Sequence, residues 1–89
     1  MAKMKRAVAH HVYIVECADG TLYTGCTPKL KRRVALHNSG RGAKYTSGRR
    51  PVKLVWSEKR RGLSEALKRE AAIKQFSREM KERLIASGA

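Results

Sequence analysis

The stretch Val12–Gly25, VYIVECADGTLYTG, decides the fold. β-Branched and aromatic residues run from His10 to Cys17 and again from Thr21 to Cys26, with the turn formers Ala18, Asp19 and Gly20 between them, which is the pattern of a β-hairpin. Two turns fit it. A two-residue Asp-Gly turn would send Tyr13 and Tyr23 to opposite faces. A three-residue loop with Gly20 left-handed pairs Val15 with Tyr23 and Tyr13 with Gly25, and sets both phenols on one face as diagonal neighbours.

Outward from the hairpin, Thr27 and Pro28 supply an N-cap and a first-turn proline for a helix that runs to the stop at Asn38, Ser39 and Gly40. RGAKYTSGRRP reads as a loop and VKLVWSEKR as a third strand. Ser64 is placed to cap a helix through about Phe76, and Ser77 to cap a last one through about Ala86. The order β-β-α-β-α-α gives an α+β class, a three-stranded antiparallel sheet flanked by helices. Eighty-nine residues make one domain, expected over 10–86, behind a basic, Ala-rich lead-in over 1–9.

The balance of 21 Lys and Arg against 7 Asp and Glu leaves a net charge of +14, with a pI near 10.6. Such a field attracts polyanions. Nucleic acid is the leading partner. A membrane surface ranks low, because an interfacial helix wants several large apolar side chains on one face and this chain has one Trp and one Phe. No run approaches a membrane span, and the start lacks the small-residue cleavage pattern of a secretory signal, so a cytoplasmic protein is expected, by default a monomer. Cys17 and Cys26 form neither a CxxC pair nor a disulfide framework; both read as small buried thiols.

On the first helix, Leu30 and Val34 define the apolar stripe, and Arg33 and His37 fall along its edge one turn apart. Lys31 and Arg32 point elsewhere, Arg32 as a solvated charge. On the second helix, Leu63, Ala66, Leu67 and Ile73 span one arc with Glu70 inside it. An i,i+4 pair with Lys74 explains the spacing of Glu70 but not its apolar setting, since a buried carboxylate requires a partner, hydrogen bonds or a metal. From Gly20 to Ser57 there is no Asp or Glu and there are nine Lys or Arg, a footprint for phosphates. Within it Arg41, Lys44, Tyr45, Arg49 and Arg50 form a candidate grip on nucleic acid, joined by Lys31 and Arg32 on the helix, with Tyr45 as a stacking ring. There is no HExxH, no DxD and no zinc spacing, so a one-metal or metal-free site remains. Walker glycines and a G-x-S-x-G elbow are also missing.

Taken in order, Tyr13, the Tyr-Thr-Gly at 23 to 25, Arg33, His37 and Glu70 resemble the GIY-YIG nuclease superfamily, and more narrowly its small single-domain YhbQ-type subgroup. YTG, RRVALHNSGRGAKYT, RRPVKLVWSE and ALKREAAIKQ carry that resemblance over about residues 11 to 83. His11 and Val12 stand where the name-giving Gly and Ile would be, and the asparagine that assists in some relatives has no evident counterpart, Asn38 being the one Asn. The resemblance implies an endonuclease cutting nucleic acid, DNA before RNA, to leave 5′-phosphate and 3′-hydroxyl ends. Tyr13, Tyr23, Arg33, His37 and Glu70 would be its catalytic residues and Gly25 a motif glycine. Glu70 would hold one divalent ion, Mg²⁺ or Mn²⁺. The alternative is a nucleic-acid-binding module of the same fold that cuts slowly or never.

Overall fold

The computed structural model describes residues 8–88; most of the basic lead-in lies outside them. Strands β1 (Ala9–Glu16), β2 (Leu22–Thr27) and β3 (Lys53–Arg61) form one antiparallel sheet in the order β2-β1-β3. The helices are α1 (Leu30–Ser39), α2 (Lys44–Ser47), α3 (Leu63–Lys74) and α4 (Arg78–Ser87). No helix among the described residues is long and apolar enough to cross a membrane.

The hairpin takes the three-residue loop. Gly20 is left-handed at φ 84°, Cys17 and Gly20 close the turn by a 2.9 Å backbone bond, and the register pairs Tyr13 with Gly25 and Val15 with Tyr23. Asp19 holds the turn by accepting hydrogen bonds from the Thr21 backbone N–H (3.1 Å) and hydroxyl (2.6 Å). Because side chains alternate along a strand, this register gives the sheet two different faces. Val12, Ile14 and Trp56 face α3 and α4 and pack with Ala66 and Ile73; Tyr13 and Val15 face the other way and pack with Val52, Leu30 and Val34.

Four local expectations shift. Helix α1 begins at Leu30, not at the Thr27 cap: Thr27 still belongs to β2, and its hydroxyl accepts the Lys29 N–H at 3.1 Å, closing the turn ahead of the helix. Ser64 is no cap, because Gly62, at φ 85°, takes the N-cap position two residues earlier and lets the chain turn straight into α3. The stretch read as a loop contains the helical turn α2. The apolar arc of α3 buries Ala66 and Ile73 completely but leaves Leu63 51% and Leu67 47% exposed. Ser77 behaves as expected, its hydroxyl accepting the Met80 N–H at 3.1 Å.

Candidate active site

The three-residue hairpin loop puts both tyrosines over α1. Tyr13 reaches across the edge strand β2, where Gly25 leaves it room: a Cβ at Gly25 would fall 2.6 Å from the Tyr13 oxygen. The Tyr13 hydroxyl meets His37 Nε2 at 2.8 Å, and His37 Nδ1 meets the Thr46 hydroxyl at 2.7 Å. Tyr13, His37 and Thr46 are all buried. Helix periodicity put His37 on the edge of a stripe; it is deeper because the chain after α1 folds back over it. The Gly42 backbone lies on the imidazole, so that any Cβ there would overlap the ring, 2.6 Å from Cγ.

Arg33, one turn before His37, and Glu70, from the opposite face, act on the same phenol. Burial first, then the neighbouring Tyr23, drive the Tyr13 pKa above the ordinary tyrosine range; the Arg33 charge opposes them, and Glu70 adds to the rise. His37 is lowered below the ordinary histidine value by burial and then by Arg33, which keeps its ring neutral near pH 7. Glu70 stands on α3, against the Val12 and Ile14 side of the sheet. There the thiol of Cys26, raised by burial and then by the Glu70 charge, lies beside the carboxylate. Neither Cys17 nor Cys26 forms a disulfide.

The side chain of Glu70 is 16% exposed and pairs with Lys74 at 3.0 Å. Among the described residues no group of three or more His, Cys, Asp or Glu converges. One carboxylate suits a magnesium-like ion, which keeps several waters and takes the rest of its shell from substrate phosphate. It does not suit a protein-caged zinc. The donor set therefore fits a single hard divalent ion, once Lys74 yields the carboxylate.

The basic stretch divides into two kinds of residue. Lys31, Arg32, Arg41 and Lys44 are exposed. Arg49 and Arg50 are engaged within the chain: Arg49 pairs with Asp19 at 3.0 Å and donates to the Tyr45 carbonyl, and Arg50 donates to the carbonyls of Ser47 and Asn38. The Arg49 guanidinium lies 4.1 Å from the centre of the Tyr45 ring, and Tyr23 stacks on that ring at 5.7 Å. Tyr45 remains 39% exposed. Tyr23 in turn sets an edge against His37 at 5.2 Å. Asn38 holds β3 to α1, donating to the Val52 carbonyl and accepting the Val52 N–H. An open cleft of about 270 Å³ is lined by Thr27, Pro28, Lys29, Arg32, Arg33 and Leu36.

Sequence reasoning missed Thr46 and Gly42. Both lie in a non-periodic segment, where side-chain direction cannot be read from spacing, and the one available signal was a buried-type threonine in a Gly-rich turn.

The GIY-YIG catalytic domain model matches residues 9–83, and the chain belongs to that family. It is 59% identical over 76 residues to a UPF0213 protein of Halobacterium salinarum, covering 85% of this chain and 99% of that one. It is 54% identical over 79 residues to a UPF0213 protein of Staphylococcus saprophyticus, covering 89% and 96%. Among solved structures, the solution NMR structure of a UPF0213 protein of Bacillus halodurans superposes with a TM-score of 0.57 at 46% identity, over 88% of this chain and 83% of that one. The solution NMR structure of a protein of E. faecalis superposes with a TM-score of 0.62 at 43% identity, over 94% and 90%. The family is one of nucleases that act on nucleic acid and generally use a divalent metal.

Proposed function

We propose that the chain is a metal-dependent endonuclease that hydrolyses phosphodiester bonds of nucleic acid, DNA foremost, through a one-metal site on Glu70. The observation that carries this reading is the buried 2.8 Å bond between the Tyr13 hydroxyl and His37 Nε2, at a phenol that Arg33 and Glu70 both influence. A structural tyrosine needs no such surroundings; a proton relay does.

In the proposed reaction a water attacks phosphorus in line and gives its proton to the Tyr13 oxygen, as Tyr13 gives its own to His37 Nε2. The P–O bond to the 3′-oxygen breaks, and that oxygen leaves with the electron pair and is protonated from solvent. His37 then returns its proton to solvent. Arg33 binds the non-bridging oxygens, where its planar fork meets growing negative charge. That contact also neutralises the field by which Arg33 lowers His37, so bound substrate makes the imidazole a better acceptor. The same neutralisation removes the help Arg33 gives to a phenolate, which favours moving the two protons in concert. A divalent ion on Glu70 would supply Lewis-acid neutralisation of the phosphate and the leaving oxygen. Lys31, Arg32, Arg41 and Lys44 would hold flanking phosphates, while Arg49, Arg50 and Tyr45 would frame the loop that carries them.

The test is cleavage of labelled single-stranded and duplex DNA and of RNA with Mg²⁺ or Mn²⁺. Removing a donor to the developing charge costs about 10²–10³ in rate, so Arg33→Ala should cut at that reduced level and Glu70→Ala should lose its metal response. Equal degradation by wild type and both variants would mean a contaminant and end the catalytic reading. The Glu70–Lys74 ion pair favours the second reading, a binding module whose carboxylate is occupied. It predicts salt-dependent binding with no cleavage in any metal.

A further inference from the structure

We infer that Thr46 is a positioning residue for the Tyr13–His37 pair: its hydroxyl fixes His37 in the tautomer that carries hydrogen on Nδ1 and leaves Nε2 open to the Tyr13 proton. The catalytic consequence rests on the nuclease reading above. The tautomer does not.

A hydroxyl has one hydrogen to donate. That of Thr46 is directed to the Ala43 carbonyl at 3.2 Å within the α2 turn, which turns a lone pair toward His37 Nδ1 at 2.7 Å. Nδ1 then carries the hydrogen, Nε2 is bare, and the Tyr13 hydroxyl donates to it at 2.8 Å. The Tyr13 hydroxyl, both His37 nitrogens and the Thr46 hydroxyl are all satisfied in this arrangement. The reverse arrangement has Thr46 donating to Nδ1 and Nε2–H donating to the Tyr13 oxygen. The Tyr13 hydrogen would then be buried with no acceptor among the described residues, at the full cost of an unpaired donor. Only the first arrangement runs protons from Tyr13 into the histidine.

The turn that presents Thr46 is built for the purpose. Its backbone bond from Arg49 N–H to the Thr46 carbonyl is 3.0 Å, Gly42 holds the imidazole plane by contact, and the Arg49–Asp19 pair ties the far end of the segment to the hairpin loop. The ring can neither flip nor swing without breaking a contact on each side. A histidine whose second nitrogen is held in this way has its proton placement set by that partner.

The experiment is nitrogen-15 NMR of the His37 imidazole in the wild-type protein, Thr46→Val and Thr46→Ser, with steady-state cleavage of the same samples. Wild type should show Nδ1–H and a bare Nε2. Thr46→Val should shift the population toward Nε2–H and lower kcat on the order of tenfold with KM little changed, and Thr46→Ser should restore both. Nε2–H in wild type overturns the inference, as does a Thr46→Val protein that keeps Nδ1–H. A tautomer shift without a fall in kcat overturns the positioning role. Should Thr46→Val fail to fold, the wild-type spectrum decides alone. Should wild type not cleave, the nuclease reading fails while the spectrum still decides the tautomer.

Discussion

The two faces of the sheet spend the same strand on opposite ends. Val12 and Ile14 look toward α3 and α4 and join Trp56, Ala66 and Ile73 in an apolar cluster, with the buried Thr24 beside Ile14 as its polar exception. Tyr13 and Val15, one residue out of step, look toward α1 and α2, where the buried set includes His37 and Thr46 joined by hydrogen bonds. The first face is held by area removed from water. The second is held by directed bonds, and its glycines keep space for a phenol and an imidazole instead of filling it. Glu70 belongs to the first face, on α3 beside Cys26, and its charge reaches the Tyr13 phenol on the other. The apolar core and the hydrogen-bonded Tyr13–His37–Thr46 chain thus lie on opposite sides of the sheet.

The most direct way to break this comparison is to cut one side chain on each face and read both properties. Ile73→Ala removes a fully buried side chain from the apolar face and should cost about 2–5 kcal/mol in urea unfolding, with cleavage by the folded fraction little changed. Tyr13→Phe keeps the ring over Gly25 but leaves His37 Nε2 without its donor. It should cost about 1–3 kcal/mol and remove the proposed cleavage. If the two variants lose stability and activity in the same proportion, the faces do not differ in the way described.

A pH series sharpens the same contrast through His37 and Tyr13, two shifted groups that lie on the polar face. The folded pKa of His37 is depressed below the unfolded value of 6.5, so the unfolded chain binds the proton first. Its stability contribution is complete above that value and is lost as pH falls toward the folded one. Tyr13 is raised above 10.0, so its contribution is complete below that pH and is lost as pH rises through the folded value. Thermal midpoints of wild type should form a plateau between these limits. His37→Gln should lack the acid-side decline attributable to this residue, and an unchanged acid limb would mean that His37 is not its source.

How much of this was legible depended on periodicity. The hairpin register follows from a period of two and a turn whose length sets the parity, so spacing narrowed Tyr13 and Tyr23 to two arrangements, and the structure takes the one with a shared face. Arg33 and His37 follow from a period of 3.6 in the same way. Thr46 and Gly42 could not be read, because α2 is a single turn in a segment where no period fixes direction. The status of Arg49 and Arg50 was hidden for another reason: a count of charges does not distinguish an arginine facing solvent from one tied to Asp19 or to backbone carbonyls.

Helix α3 shows where periodicity itself misleads, and it supplies the smallest predicted effect. Leu63, Ala66, Leu67 and Ile73 share an arc on a helical wheel, but contact is not uniform across an arc. Ala66 is 0% exposed, and its short side chain lets the helix sit close to the sheet along the line from Ala66 to Ile73. The longer leucines on the flank then overhang the contact and remain about half in water. Exposed substitutions away from special features usually change stability by less than about 0.5 kcal/mol, so Leu67→Gln should do no more than that in urea unfolding. A cost approaching that of Ile73→Ala would mean that Leu67 is buried in solution, and that the apolar face extends further along α3 than the contact line described here.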